Sequence, residues 1–259
     1  MTRLLSSFPL WLSMILLAVL PTVAAMYGPI LMRRTIGLDR LTSNNEIAGF
    51  KFAAVGVIYA VLLGFAIIVV WEKFRDAETA VLQEASAAAA IYRLAAGKDA
   101  EATAIRAALG NYLKLAIDRD WTMMEAAKES REARQALAVL YSDAIRAIEG
   151  GSKNPEIFAE ILKQLETITQ SRRVRLHLAM GIVPGILWWV LCGGGVLTVV
   201  FTFFFGTKDL PAQVLMTGIL AFVVFTSLLV VVSFGHPFTG PVHVSSEPLQ
   251  SVLDDFAEG

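Results

Sequence analysis

The sequence predicts an all-α membrane protein. Four transmembrane helices form two hairpins, a cytosolic four-helix insert separates spans two and three, and a short extended segment and helix close the chain. Three observations predict this. The 259 residues are 56% hydrophobic and 17% charged, with mean hydropathy +0.60, whereas a soluble domain carries about 25% charge. The charge is also uneven: residues 72–175 hold 16 of the 22 Lys/Arg and 16 of the 23 Asp/Glu. Finally, four charge-poor segments reach the roughly 20 residues that a spanning helix needs. The expected divisions are 1–71 for the first hairpin, 72–175 for the bundle, 176–235 for the second hairpin and 236–259 for a tail docking on the bundle.

Span one covers residues 8–32, with no charge between Arg3 and Arg33. Arg3 and the weak cleavage-like Thr22-Val23-Ala24-Ala25 resemble a signal peptide. The apolar stretch exceeds a signal h-region, however, so a retained helix is expected. Span two covers 52–71, bracketed by Lys51 and Glu72, after a short polar loop over 33–51. Spans three and four cover 178–205 and 211–234, joined by a tight turn.

The insert reads as helices, because alanine is abundant, proline occurs once and apolar residues recur at helical spacing. Its first helix continues span two, with the stripe Ala77, Ala80, Val81, Ala87, Ala88, Ile91 and Leu94, and stops near Gly97. A second starts near Asp99. A third spans about 130–149 and ends at Gly150-Gly151. A fourth opens on Asn154-Pro155-Glu156, a cap, a first-turn proline and an acid at the positive helix end. This fourth helix is expected to run through Arg175 into span three. After span four, His236-Pro237-Phe238-Thr239-Gly240-Pro241 breaks any helix. An extended piece about Val242 and Val244 then leads to a tail helix with Leu249, Val252, Leu253 and Phe256 on one face.

Four spans place both termini and the insert on one side. Basic residues near the spans number six there (Arg3, Lys73, Arg75, Arg172, Arg173, Arg175) against five opposite (Arg33, Arg34, Arg40, Lys51, Lys208). The dense Arg172–Arg173–Arg175 cluster selects a cytoplasmic insert by the positive-inside rule.

Several functions are disfavoured. Net charge −1 and the balance of 16 basic against 16 acidic residues in the insert argue against a nucleic-acid partner. His177, His236 and His243 show no metal-ligand spacing, and Cys192 is single and in an apolar run, so no metal or other cofactor is expected. Gly193-Gly194-Gly195 lacks the Lys and Ser/Thr of a phosphate loop, and no nucleophile–base pair is visible, so an enzyme is not expected. No span carries a central Asp, Glu, Lys or Arg, which weighs against a proton-coupled carrier.

Span two is the informative segment. At about 100° per residue, Gly49, Ala53, Gly56, Ala60 and Gly64 share an arc with Ile67. Small residues mark close helix approach in lipid, either within a subunit or between subunits. The adjoining arc carries Phe52, Val55, Tyr59, Leu62, Leu63, Ala66 and Val70. It would line an apolar pore neck gating by dewetting, or else face lipid and neighbouring helices. Asn44, Asn45 and Glu46 would lie at one mouth, and Glu72, Lys73 and Arg75 at the other.

The run 50–65, Phe-Lys-Phe-Ala-Ala-Val-Gly-Val-Ile-Tyr-Ala-Val-Leu-Leu-Gly-Phe, resembles the bacterial bestrophin-like family of four-span membrane proteins. The likeness extends to Val69-Val70-Trp71-Glu72-Lys73-Phe74, Ala77, Glu84-Ala85, Asn45, Leu187-Trp188, Gly194-Gly195 and the His236–Val242 tail. It covers about 40–250. It implies an oligomeric passive ion channel in a cell membrane, the bacterial inner membrane for this family, with ions and lipid as partners and a pore lined by span two. Bestrophin channels of animals carry an acidic calcium cluster after the last span. Asp254, Asp255 and Glu258 are too sparse to carry it here. The alternative function is a non-conducting scaffold or sensor whose bundle binds a partner protein.

Overall fold

The computed structural model describes residues 8–43, 45–97, 99–150 and 154–258. Arg3, Asn44 and Gly151 lie outside the described residues, as does the side chain of Glu258. All regular structure among the described residues is helical. The helices are α1 (Leu10–Ile36, containing a π-turn over Ile15–Val19), α2 (Leu38–Ser43), α3 (Asn45–Leu94), α4 (Ala100–Leu115), α5 (Trp121–Glu125), α6 (Arg131–Glu149), α7 (Pro155–Ala179), α8 (Gly185–Phe201), α9 (Leu210–Phe234) and α10 (Glu247–Glu258). A second π-turn, Ala116–Asp120, joins α4 to α5. Four of these helices are long and apolar enough to cross a membrane: α1, α3, α9 and α8 with its terminal 3-10 turn.

The chain separates into two compact units. The first comprises residues 1–72, 183–235 and 240–242. Here α1 packs along α9, and glycines admit close contacts of α1 with α9 and with the turn that ends α8. A Cβ on Gly28 would enter the Phe203 ring, and one on Gly218 would lie 3.0 Å from Met26. The aromatic cluster Phe52, Phe201 and Phe205, with centroids 5.7–6.3 Å apart, joins α3 to the end of α8. Trp71 meets Phe234 edge-on at 5.2 Å. The α9 start follows its sequence: Asp209 accepts from the Ala212 N–H, and Pro211 occupies the first turn.

The second unit comprises residues 73–182, 236–239 and 243–259. α4 packs on α6 and α6 on α7, around Ile105, Leu109, Leu140, Ile161, Leu165 and Ile168. Leu249 and Val252 of α10 belong to the same core, and Phe256 stacks on Tyr92 at 3.8 Å. Ser130 caps α6 by accepting from the Ala133 N–H.

Four expectations are corrected. α7 does not run into span three: it ends at Ala179, and the next helix starts at Gly185. Gly181 sits at φ 104 and Pro184 has φ −56 with ψ 145, so neither continues a helix. Span three is correspondingly shorter than 178–205, and Leu178 is buried in the second unit. The 33–51 loop is largely helical, because α2 and the first turns of α3 occupy it. The segment about Val242 and Val244 forms no strand. Its Val244 N–H instead donates to the Pro237 carbonyl, closing a compact turn.

Gly181 is irreplaceable on two counts. Its φ favours glycine, and a Cβ there would sit 2.9 Å from the His236 ring. Gly181→Ala is therefore expected to cost about 1–3 kcal/mol, read as a lowered thermal midpoint in detergent. Gly185→Ala, where a Cβ would meet nothing within 4 Å, is the matched control and should change little.

Candidate functional site

Within the first unit the membrane part of α3 has a definite inner side. Tyr59 is only 6% exposed, and its hydroxyl donates to the Leu191 carbonyl at 3.0 Å. The ring lies on Gly194 and Gly195, where an added Cβ would come within 2.7–2.9 Å of it. Gly194 and Gly195, the last two of the triple-glycine run of α8, thus serve as a floor for this tyrosine. Leu63 and Val70 are buried on the same side, and Phe52 and Ala66 are half-buried. Of the arc read from the sequence as a pore face, Val55 and Leu62 are the members open on the surface of the subunit.

The rest of the circumference is exposed and apolar. Val55, Ile58, Leu62, Phe65 and Val69 recur at alternating spacings of three and four, so they form one outward line along the helix. At 100° per residue the small-residue arc borders the buried side on its other flank, nearly opposite this outward line. Gly49, Gly56 and Gly64 are half-buried, and Ala53 and Ala60 are exposed. A Cβ on Gly49 would find only the Phe205 ring, 3.9 Å away. A Cβ on Gly56 or Gly64 would meet nothing within 4 Å. Among the described residues, no other helix uses the close approach these two glycines allow.

The mouth residues divide. Asn45 is a structural clamp: its Nδ2 donates to the Gly206 carbonyl at 2.6 Å, and its Oδ1 accepts from the Gly206 N–H at 2.9 Å. Gly206 must be small, since a Cβ would stand 2.7 Å from Leu41. Glu46 and Glu72 are exposed.

The second unit contains a polar centre that the sequence reading missed. Arg175 is fully buried and grips Glu84 through two parallel bonds, Nε to Oε2 at 2.9 Å and Nη2 to Oε1 at 3.0 Å. Tyr112 donates to the same carboxylate at 2.5 Å. Asp120 accepts from Arg172 at 2.7 and 3.1 Å and from the Ser130 N–H, and it lies 3.5 Å from Arg175. The Arg175 guanidinium also stacks 4.5 Å above the Trp121 ring. Trp121 Nε1 donates to the Val244 carbonyl, which ties in the tail. Two buried cations and two buried anions therefore balance. Burial opposes the charge on Arg175 most strongly, but its partners together, Glu84 first and Asp120 with it, hold the guanidinium pKa above its ordinary value. Burial and the neighbouring Glu84 charge push the Tyr112 phenol well above its usual range, so it stays a donor.

This corrects the reading of Arg172 and Arg175 as charges at a span end. Both are buried and paired, so neither is available to anionic lipid. Without them the basic count becomes four against five, and the positive-inside rule selects no side. A signal was present: Glu84 falls in the Ala77–Ile91 stripe, Asp120 follows Ala116, and Arg172 and Arg175 extend the stripe through Leu165 and Ile168. Charges written on an apolar stripe announce a buried ion network. Among the described residues, no group of three or more His, Cys, Asp or Glu could hold a metal ion.

A family model described as a Bestrophin-like domain matches residues 16–249. The fold is also similar to solved structures. A bacterial bestrophin homologue from Klebsiella pneumoniae, phased with zinc, aligns with TM-score 0.73 at 13% identity over 93% of this chain and 97% of that one. A point mutant of a bestrophin homologue from the same organism aligns with TM-score 0.72 at 15% identity over 95% and 98%. A chain described only as a membrane protein gives 0.73 at 14%, over 93% and 97%. At such identities these likenesses show the fold. No curated protein matches the sequence.

Removing one partner of a buried ion pair strands the other. Glu84→Ala or Arg175→Met is expected to destabilise the protein by roughly 3–5 kcal/mol. The double variant Glu84→Leu/Arg175→Met should lose less than either single change, because no charge is left alone. Thermal unfolding of the three variants in detergent checks the ordering.

Proposed function

The chain belongs to the bestrophin-like family, and from that membership we propose that it forms a ring of identical subunits acting as a passive ion channel, with α3 bounding the passage. One observation carries the reading. The arc of Gly56, Ala60 and Gly64 is built for close helix approach, yet among the described residues nothing approaches Gly56 or Gly64. Lipid offers little hydrophobic drive between helices, so such an arc is explained by a helix of a neighbouring copy. The inner arc is already occupied by Leu191 and its neighbours, and the outward line Val55, Ile58, Leu62, Phe65 and Val69 then faces the axis. Repeated around a ring, it makes stacked apolar collars, a neck that gates by dewetting.

The spans pair as two hairpins, the helical unit between spans two and three stands in the cytoplasm with both termini, and the membrane is the bacterial inner membrane. Family likeness supports these assignments, since the charge count no longer does. Gating is transmitted along α3, a single helix from Asn45 to Leu94 whose outer part carries Glu84. Because α7 stops at Ala179, it offers no second continuous rod.

Reconstitution into liposomes tests the proposal. The wild type should pass ions down a gradient. Ile58→Ser or Leu62→Ser should raise the flux several-fold by wetting the neck, while Tyr59→Phe should act mainly on stability, by about 0.5–1.5 kcal/mol. A scaffold would show no flux under any gating condition and no response to the serine changes.

A further inference from the structure

A ring of more than two subunits needs two different surfaces on each copy, one meeting the other on the next copy. The second unit offers such a pair. We propose that the outer stripe of α6 in one subunit docks into the groove between α3 and α7 of its neighbour. The inference rests on the ring assembly proposed above.

The groove holds about 600 Å³ and is lined by Thr79, Gln83, Ser86, Gln164, Thr167 and Gln170, with Leu82 and Val174 exposed beside them. Every lining group is uncharged. In a unit whose parent segment carries 16 basic and 16 acidic residues, that is a marked gap. On α3 its lining runs from Thr79 to Ala87, with Glu84, the one charge in that stretch, turned into the core, and on α7 it runs from Gln164 to Val174. At 1.5 Å per residue these stretches extend about 12 and 15 Å.

The outward line of α6 answers it. Gln135, Ala138, Val139, Ser142 and Ile145 are exposed and uncharged, over about 15 Å. Val139 and Ile145 are large aliphatic side chains left in the open. Arg131 and the Asp143–Arg146 pair bound the stripe. α6 contacts α4 and α7 inside the bundle, whereas the groove opens between α3 and α7, so the two patches are separate surfaces. They match in length and in the absence of charge. Their polar groups, amides and hydroxyls, are both donors and acceptors, so they can pair across a contact without stranding a charge.

The test is crosslinking of the full chain in membranes, in a Cys192→Ser background that removes the lone native thiol. Ser86→Cys and Ser142→Cys are introduced singly and together, and treated with a short bis-maleimide. The double variant is expected to give a ladder of multimers ending at the ring size, and each single variant none. Dimers from either single variant would overturn the proposal, because a patch would then meet itself. A double variant that stays oligomeric by mass but gives no ladder would overturn the docking and leave the ring intact. A monomeric particle would overturn the ring reading and this inference with it.

Discussion

The second unit is organised around one guanidinium. Arg175 has no contact with solvent, and its charge is bearable because Glu84 meets it bidentately and Asp120 stands at 3.5 Å. The groups sit on separate elements: Glu84 on α3, Tyr112 on α4, Asp120 on the π-turn, Trp121 on α5, and Arg172 and Arg175 on α7. An ion network is a poor source of net stability, since desolvation consumes much of the Coulomb gain. It is a strict source of registry. Sliding α7 by one turn would bury two unpaired cations, a penalty that no repacking of Leu165 or Ile168 could offset.

The π-turn over Ala116–Asp120 has its physical reason here. A wider turn changes the helical phase and brings Asp120 to Arg172 while Trp121 slides under Arg175. The tail is bound into the same centre through the Trp121–Val244 hydrogen bond and the edge-on Trp121–Phe238 contact. α10 then covers the core with Leu249. The bundle therefore needs its C-terminal residues to be complete.

The first unit is held differently. In place of charge it uses glycine. Gly28, Gly194, Gly195, Gly206 and Gly218 each admit a ring, a backbone or a methionine where a Cβ would collide. Gly56 and Gly64 stand apart from this set, because among the described residues nothing occupies the space they leave. That contrast gives the channel proposal its physical content, since a helix already packed on one side presents another side equally prepared.

Sequence alone determined the helical class, the four apolar segments, the position of the charged insert and the approximate starts of α6, α7 and α9, because length, hydropathy and first-turn prolines are local properties, although the Asn154 side chain makes no capping hydrogen bond to α7. It also marked α3 as the segment to watch. It did not determine which side of α3 turns inward. An apolar helix in an apolar solvent has no polarity gradient around its circumference, so Tyr59 and Phe65 look alike until Leu191 and the glycines of α8 are set against one of them. Nor did it show that Arg172 and Arg175 are interior groups. Near a span end, a basic cluster reads as surface unless its counter-charges are known, and Glu84 and Asp120 lie 91 and 52 residues away from the arginines they pair. Those distances close only when the helices pack, and that step belongs to the tertiary structure.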